Sequence, residues 1–179
     1  MKTLTIREIT EAVNGRIIAG PSDSCVNGVS TDSRTVKEGD LFVALIGARS
    51  DAHDYLSQVA AAGAKAVIVS DEEKTLSALG ADTKVTAVLV EDTLQALLDL
   101  GGYYLRNLGY RHVFGVTGSV GKTSTKDFLG SVLSQKFRTV CSTKNHNSVY
   151  GLPLCIFELD PEAEAAVLEM GITDRDSMS

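Results

Sequence analysis

The chain reads Gly118-Ser119-Val120-Gly121-Lys122-Thr123-Ser124 where a short apolar run, residues 113–116, meets a helix-like run, residues 122–136. A strand that turns through glycines into a helix N-terminus directs backbone N–H groups and the positive end of the helix dipole at a phosphate. In such a loop Lys122 reaches the β- and γ-phosphates and Thr123 holds Mg²⁺. We therefore predict a nucleotide-using enzyme.

The loop is a shorter form of the pattern G-x-x-x-x-G-K-[ST], because Val116 stands where the pattern has its first glycine. The core G-x-x-G-K-T is complete. One alternative is a tight turn followed by an incidental lysine, and the strand before and the helix after the loop argue against it. A GTPase is another alternative, but the chain lacks the Asn-Lys pair that guanine recognition commonly uses.

The composition is that of an ordinary globular protein, with 44% hydrophobic and 22% charged residues among 179. A net charge of −6 does not indicate a nucleic-acid-binding face. No apolar stretch approaches the roughly 20 residues of a membrane helix, and no signal peptide is visible. The cysteines and histidines are scattered, which predicts reduced thiols, a cytoplasmic location and no zinc site.

Short apolar runs alternate with amphipathic runs, and this alternation predicts an α/β fold with parallel strands. Thr5 and Glu8 form a capping-box pattern at the start of a first helix, which Gly15 ends. The charged run 71–74 is predicted to be a solvated face. Further helices are predicted at 54–62, 93–108 and 122–136, the last with Phe128, Leu129, Val132 and Leu133 inward. Strands are predicted at 16–19, 25–30, 41–45, 66–69, 85–90, 113–116, 138–141 and 165–168.

Two domains are predicted, residues 1–91 and residues 92–179, with the helix 93–108 between them. A doubly wound sheet with one phosphate loop normally has five or more strands, and only about three are visible after residue 110. We therefore expect the chain to be a fragment of a longer enzyme. A small complete domain with an unusual sheet is the alternative.

Four blocks of the chain together resemble the Mur ligases, the ATP-dependent amide-forming enzymes of peptidoglycan synthesis. Residues 30–34, Ser-Thr-Asp-Ser-Arg, with residues 39–45, Gly-Asp-Leu-Phe-Val-Ala-Leu, look like the N-terminal block of the MurE and MurF types, and residues 51–54 continue it. Residues 117–124 are similar to the family's ATP loop. Residues 169–171, Glu-Met-Gly, look like the end of a strand that the family shares.

The fourth block distinguishes the type. Asn145-His146-Asn147-Ser148 with Gly151-Leu152-Pro153 is similar to the MurF pattern Asn-x-Asn-Asn…Gly-x-Pro, although Ser148 replaces an asparagine and Lys144 a glycine. The Thr-Thr-Pro segment expected of the MurE type is absent from the sequence. The resemblance spans nearly the whole chain, and it implies the MurF type.

This resemblance implies a small α/β uridine-nucleotide-binding domain at residues 1–91, then the first part of a P-loop parallel-sheet ATPase domain at 92–179. The family enzyme is more than twice as long, and its carbamylated lysine would lie beyond Ser179. The implied reaction uses ATP and Mg²⁺ to join UDP-N-acetylmuramoyl-tripeptide to D-alanyl-D-alanine through an acyl phosphate, in a cytoplasmic monomer. The alternatives are a MurE-type ligase that adds one amino acid, or a fragment that binds the UDP nucleotide without catalysis.

The resemblance also implies roles for individual residues. Lys122 would stabilise the transition state, and Thr123 and Glu169 would hold Mg²⁺; an exposed glutamate at a strand end is the alternative for Glu169. ATP would be bound by Gly118, Ser119, Val120, Gly121, Lys122, Thr123 and Ser124. The UDP substrate would be bound by Thr31, Asp32, Ser33, Arg34, Asn145 and Asn147, for which ordinary turn chemistry is the alternative.

Overall fold

The computed structural model describes residues 1–48, 50–80, 82–143 and 148–171. The chain divides into two compact units, Lys2–Leu100 and Gly101–Ser179. Both contain helices and parallel strands, which confirms the predicted α/β class. No helix among the described residues is long and apolar enough to cross a membrane.

The first unit is built on a sheet that has five strands in its described part. They are β2 (Arg16–Ala19), β4 (Gly28–Ser30), β5 (Asp40–Val43), β6 (Ala66–Val69) and β7 (Thr86–Leu89), in the order β2-β7-β6-β5-β4. All neighbours are parallel except β2 and β7. Every residue of β5 and β6 is buried, as expected for central strands covered on both faces. Two short strands, β1 (Leu4–Thr5) and β3 (Cys25–Val26), pair antiparallel apart from this sheet.

Polar side chains cap the first and the third helix of this unit. The predicted capping box opens α1 (Ile6–Ala12): Glu8 Oε2 accepts from the Thr5 N–H at 2.8 Å, and Thr5 Oγ1 accepts from the Glu8 N–H at 3.2 Å. A 3-10 turn (Ala52–Tyr55) leads into α2 (Leu56–Ala61). Asp71 caps α3 (Glu72–Leu79), a helix that the sequence analysis missed when it assigned residues 71–74 only to a solvated face. Of these four residues, Glu73 and Lys74 are exposed.

The long helix α4 (Thr93–Leu108), whose predicted bounds are confirmed, begins in the first unit and ends in the second. The described part of the second unit holds three parallel strands, β8 (His112–Val116), β9 (Thr139–Cys141) and β10 (Ala165–Glu169), in the order β8-β10-β9. Glu169 is in register with Val116, and Val167 with Cys141, so the three carboxyl ends share one edge. The central strand β10 is buried throughout.

The described part of this unit also contains α5 (Lys122–Leu133) and α6 (Gly151–Glu158), and α6 was not predicted. The predicted inward face of α5 is wrong at two positions, because Phe128 is 73% exposed and Val132 is 52% exposed. Lys126 and Gly130, one turn apart, are the buried residues instead. The helix packs through this stripe because Gly130 has no side chain to keep it from the Cys141 sulfur.

Candidate functional site

The loop between β8 and α5 has the backbone of a phosphate cradle. Gly118 has φ 142° and Gly121 has φ 77°, which are conformations that favour glycine. The first helical bond of α5 runs from the Thr125 N–H to the Gly121 carbonyl at 2.9 Å. The N-cap residue Gly121 has no side chain to cap this helix, so among the described residues nothing at that position competes with an anion for the first-turn N–H groups and the dipole.

Lys122 lies in the first turn of α5 and reaches back across the loop. Its Nζ donates to the Gly118 carbonyl oxygen at 2.7 Å. The helix dipole disfavours a cation at this end of a helix, so the position favours a lysine that serves an anionic ligand. The bond to Gly118 holds the ammonium group over the cradle.

Glu169 ends β10 at the edge where ligands bind in parallel α/β sheets. It is 7% exposed, which excludes the exposed strand end considered as its alternative. Thr123 Oγ1 donates to Glu169 Oε2 at 2.9 Å. A hydroxyl and a carboxylate are hard oxygen donors of the kind that Mg²⁺ prefers, and Mg²⁺ typically takes its remaining ligands from water and substrate phosphates. The donor set therefore fits a magnesium–nucleotide.

Two residues that the sequence analysis did not single out complete this group. Lys126 is 2% exposed, and its Nζ donates to the Ser142 carbonyl at 2.9 Å and lies 4.0 Å from Glu169 Oε2. Ser142 Oγ accepts from the Glu169 backbone N–H at 2.8 Å. Lys126 stands one helical turn after Lys122, and that spacing is the one signal in the sequence that could have found it.

The predicted uridine-substrate residues at 31–34 lie in the first unit, in the turn between β4 and β5. Asp32 Oδ1 accepts from the Arg34 N–H at 3.0 Å and from Nε at 2.9 Å, and Oδ2 accepts from Nη2 at 2.6 Å. Hydrogen bonds from the Arg34 side chain, and then from the Arg34 backbone N–H, lower the pKa of Asp32 to about 2. Thr31 and Ser33 are half-buried. The turn chemistry considered as the alternative is thus present here, and the binding role stays a prediction.

Asn145 and Asn147 lie outside the described residues. His53 is 2% exposed in the first unit. Its Nδ1 lies 2.6 Å from Asp51 Oδ1, and its Nε2 accepts from the Ser70 N–H at 2.9 Å.

Within the described ranges, no three His, Cys, Asp or Glu side chains are grouped so that they could hold a metal.

Comparison with known proteins identifies the family. Residues 25–104 match the Mur ligase family, catalytic domain, and residues 116–178 match the Mur ligase middle domain. The chain belongs to the Mur ligase family. This confirms the resemblance drawn from the four sequence blocks, and the phosphate loop from Val116 onward, with Thr123 and Glu169, falls inside the matched middle domain.

Relatives of this Mur ligase chain include the UDP-N-acetylmuramoyl-tripeptide–D-alanyl-D-alanine ligase of Bacillus subtilis (strain 168), 39% identical over 94% of this chain and 36% of the relative. A crystal structure of MurF from Acinetobacter baumannii is 34% identical, with a TM-score of 0.82 over 96% of this chain and 36% of that one. The MurF ligase of Thermotoga maritima, solved in complex with ADP, is 35% identical, with a TM-score of 0.71 over 83% of this chain and 33% of that one. The chain therefore spans about a third of the length of these relatives.

Proposed function

We propose that this chain supplies the uridine-substrate-binding part and the nucleotide-phosphate-binding part of a MurF-type ligase. Such an enzyme uses ATP to join UDP-N-acetylmuramoyl-tripeptide to D-alanyl-D-alanine. The observation that carries the proposal is the contact of Thr123 with Glu169 beside an uncapped helix N-terminus. The names of the relatives support the substrates, and the ADP complex of the Thermotoga maritima relative supports the nucleotide.

The proposed reaction has two steps. The tripeptide carboxylate takes the γ-phosphoryl group and ADP leaves; the amine of the dipeptide then attacks the acyl phosphate, and an amide forms as phosphate leaves. When bound, the magnesium–nucleotide supplies the phosphoryl group and part of the charge neutralisation. Two anions must approach each other in the first step, so the protein must offset their repulsion with cations and amide dipoles.

The residues of the phosphate loop, together with Glu169, have parts in this chemistry. The first-turn N–H groups of α5 bind the phosphates, and Lys122 exchanges the Gly118 carbonyl for a phosphate oxygen. Thr123 and Glu169 would hold Mg²⁺. Gly118, Ser119, Val120, Gly121 and Ser124 shape the loop around the nucleotide.

The substrate side of the proposal rests on the first unit. Residues 1–91 form the uridine-substrate domain and residues 92–179 the start of the ATPase domain. Thr31, Asp32, Ser33 and Arg34 bind the UDP moiety, which requires the Arg34 guanidinium to leave or share Asp32. Asn145 and Asn147 contribute to the substrate side of the nucleotide site. We place the reaction in the cytoplasm, in a monomer.

Calorimetry on the 179-residue chain tests both halves of the proposal. We expect ADP to bind in Mg²⁺ and more weakly in EDTA, and we expect UDP-N-acetylmuramoyl-tripeptide to bind independently of ADP. Arg34→Gln should weaken binding of the UDP substrate, and Arg7→Gln, at another exposed arginine of the first unit, should leave it unchanged. Absence of ADP binding at millimolar concentration would refute the nucleotide site.

Phosphate release distinguishes the proposed ligase from its alternatives. In a protein of the relatives' full length that carries this sequence, phosphate should appear only when the tripeptide nucleotide and D-alanyl-D-alanine are both present. Release that needs a single amino acid instead of the dipeptide would identify a MurE-type ligase. Equal release without either substrate would exclude the ligase reaction.

A further inference from the structure

Lys126 is a buried ammonium group beside the proposed metal site, and the mechanism above does not use it. Removing an ammonium group from water is strongly unfavourable unless partners compensate for the lost hydration. Its partners are the Ser142 carbonyl at 2.9 Å, Asp127 Oδ1 at 3.5 Å and Glu169 Oε2 at 4.0 Å. Asp127 is largely exposed, so the strongest compensation comes from Ser142 and Glu169.

Ser142 connects Lys126 to the backbone of Glu169. Its carbonyl accepts from Lys126, its Oγ accepts from the Glu169 N–H, and its own N–H donates to the Val167 carbonyl at 2.9 Å. Lys126 therefore acts on Glu169 along two routes, directly on the carboxylate and through Ser142 on the main chain. The same carboxylate oxygen, Oε2, also accepts from Thr123.

We propose that Lys126 is a positioning residue, which holds the Glu169 carboxylate and the Ser142 main chain in the arrangement that takes a magnesium–nucleotide. The proposal rests on the proposed function, since it requires that Thr123 and Glu169 face the metal. Lys126 does not touch the nucleotide, because its ammonium group is buried and bound to Ser142. Groups that orient a metal ligand typically contribute 10–100-fold to metal affinity.

Two roles for Lys126, as a charge only or as a positioning residue, predict opposite effects of its loss on Mg²⁺ binding. If Lys126 acted only as a charge, Lys126→Met would remove a cation 4.0 Å from Glu169 Oε2 and would strengthen Mg²⁺ binding. If Lys126 positions the carboxylate, the same variant weakens Mg²⁺ binding by about 10-fold or more. Lys126→Arg keeps the cation and a donor and should recover part of the loss.

The experiment measures the factor by which Mg²⁺ strengthens ADP binding to the 179-residue chain, from titrations in Mg²⁺ and in EDTA. Lys126→Met should lower this factor about 10-fold or more, and leave the affinity in EDTA nearly unchanged. Lys136→Met, at an exposed lysine just after α5, is the matched control and should behave as the wild type. An unchanged or larger factor in Lys126→Met would overturn the proposal.

A second variant keeps the test decisive if Lys126→Met does not fold, as urea unfolding would show. Ser142→Ala removes the acceptor of the Glu169 N–H and leaves the lysine in place, so it should lower the Mg²⁺ factor several-fold. A wild-type factor in folded Ser142→Ala would contradict the positioning network. If the wild-type chain itself binds no ADP, the proposed function fails, and this inference fails with it. Mg²⁺-dependent binding that neither variant changes refutes the inference alone.

Discussion

Thr123 and Glu169 are 46 positions apart in sequence, yet Thr123 Oγ1 donates to Glu169 Oε2 at 2.9 Å. The parallel register of β8 and β10 creates this contact, because it sets Glu169 beside Val116, the last residue of the strand that leads into the phosphate loop. The first turn of α5 then brings Thr123 back over the same edge. A hydroxyl and a carboxylate from two distant segments thus meet at the edge where we propose that Mg²⁺ binds.

Glu169→Gln tests this pair. The carboxamide has nearly the same shape and can still accept from Thr123, but it lacks the charge that a divalent cation needs. Calorimetry gives the factor by which Mg²⁺ strengthens ADP binding. We expect this factor to be smaller in the variant than in the wild type by about 10-fold or more. Thr123→Val should act in the same direction and Thr123→Ser, which keeps the hydroxyl, should not. A wild-type response to Mg²⁺ in Glu169→Gln would remove Glu169 from the metal site.

Lys122 should recognise the terminal phosphates of the nucleotide. A charge-assisted hydrogen bond is worth about 1.5–3 kcal/mol, which corresponds to roughly 10–100-fold in affinity. Lys122→Ala should therefore weaken ADP binding by about that factor and leave the binding of AMP, which has no β-phosphate, unchanged. Equal losses for ADP and AMP would show that the variant damages the loop instead. In a protein of the relatives' full length, the same change should lower the rate by orders of magnitude.

The elements that the sequence predicted best are those with a clear hydrophobic pattern. The bounds of β2, β6 and α4 agree with the predicted ranges, because each is a clean apolar or amphipathic run. The helices α3 and α6 were missed for different reasons. The first opens with a charged run that carries no apolar period, and the second, Gly-Leu-Pro-Leu-Cys-Ile-Phe-Glu, is apolar almost all round and contains a proline.

The candidate site was predictable where local patterns place it and unpredictable where only tertiary structure does. The loop and the strand end at Glu169 carry sequence signals, and parallel strands bring their carboxyl ends to one edge. The spacing from Lys122 could point to Lys126, but the burial of Lys126 carries no local signal, because its partners come from other segments of the chain: Ser142 follows β9 and Glu169 ends β10. Phe128 and Val132 are exposed, against the predicted face of α5.

Asp51 should contribute stability that depends on pH. Partial burial acts to raise the pKa of its carboxyl, but hydrogen bonds from Lys74 and from His53 outweigh it and hold that pKa well below its usual range. A carboxyl with a lowered folded pKa stabilises the protein above its unfolded pKa, about 3.9, and loses this contribution as the pH falls through the folded pKa. We therefore expect the wild type to have a higher free energy of unfolding than Asp51→Asn. This difference should be largest above about pH 5 and should shrink below about pH 4.

Urea unfolding of both proteins between pH 7 and pH 3 measures this difference. At neutral pH, Asp51→Asn should lower the free energy of unfolding by about 1.5–3 kcal/mol, the range for hydrogen bonds to charged groups. Asp54→Asn is the control, since Asp54 is largely exposed and makes only the longer 3.3 Å bond to Lys74 among the bonds described for its side chain. A difference between wild type and Asp51→Asn that stays constant with pH would contradict the assignment.

Gly130 and Cys141 should be energetically coupled. A Cβ placed on Gly130 would overlap Cys141 Sγ, so Gly130→Ala should destabilise the protein by about 1–3 kcal/mol despite the better helix propensity of alanine. The expected cause is steric, and Cys141→Ala removes the sulfur that creates it. The double variant should therefore be more stable than the sum of the two single changes predicts, by about 0.5–3 kcal/mol.

Gly102→Ala supplies the comparison within another helix, α4. Its new methyl group would meet only the flexible end of Arg106, so this change should stabilise the protein by about 0.5–1 kcal/mol. Denaturant unfolding of all four variants separates the two effects. If Gly130→Ala were as stabilising as Gly102→Ala, α5 would not approach β9 as closely as the structure places it. Additive losses in the double variant would mean that Cys141 is not the residue that Gly130 accommodates.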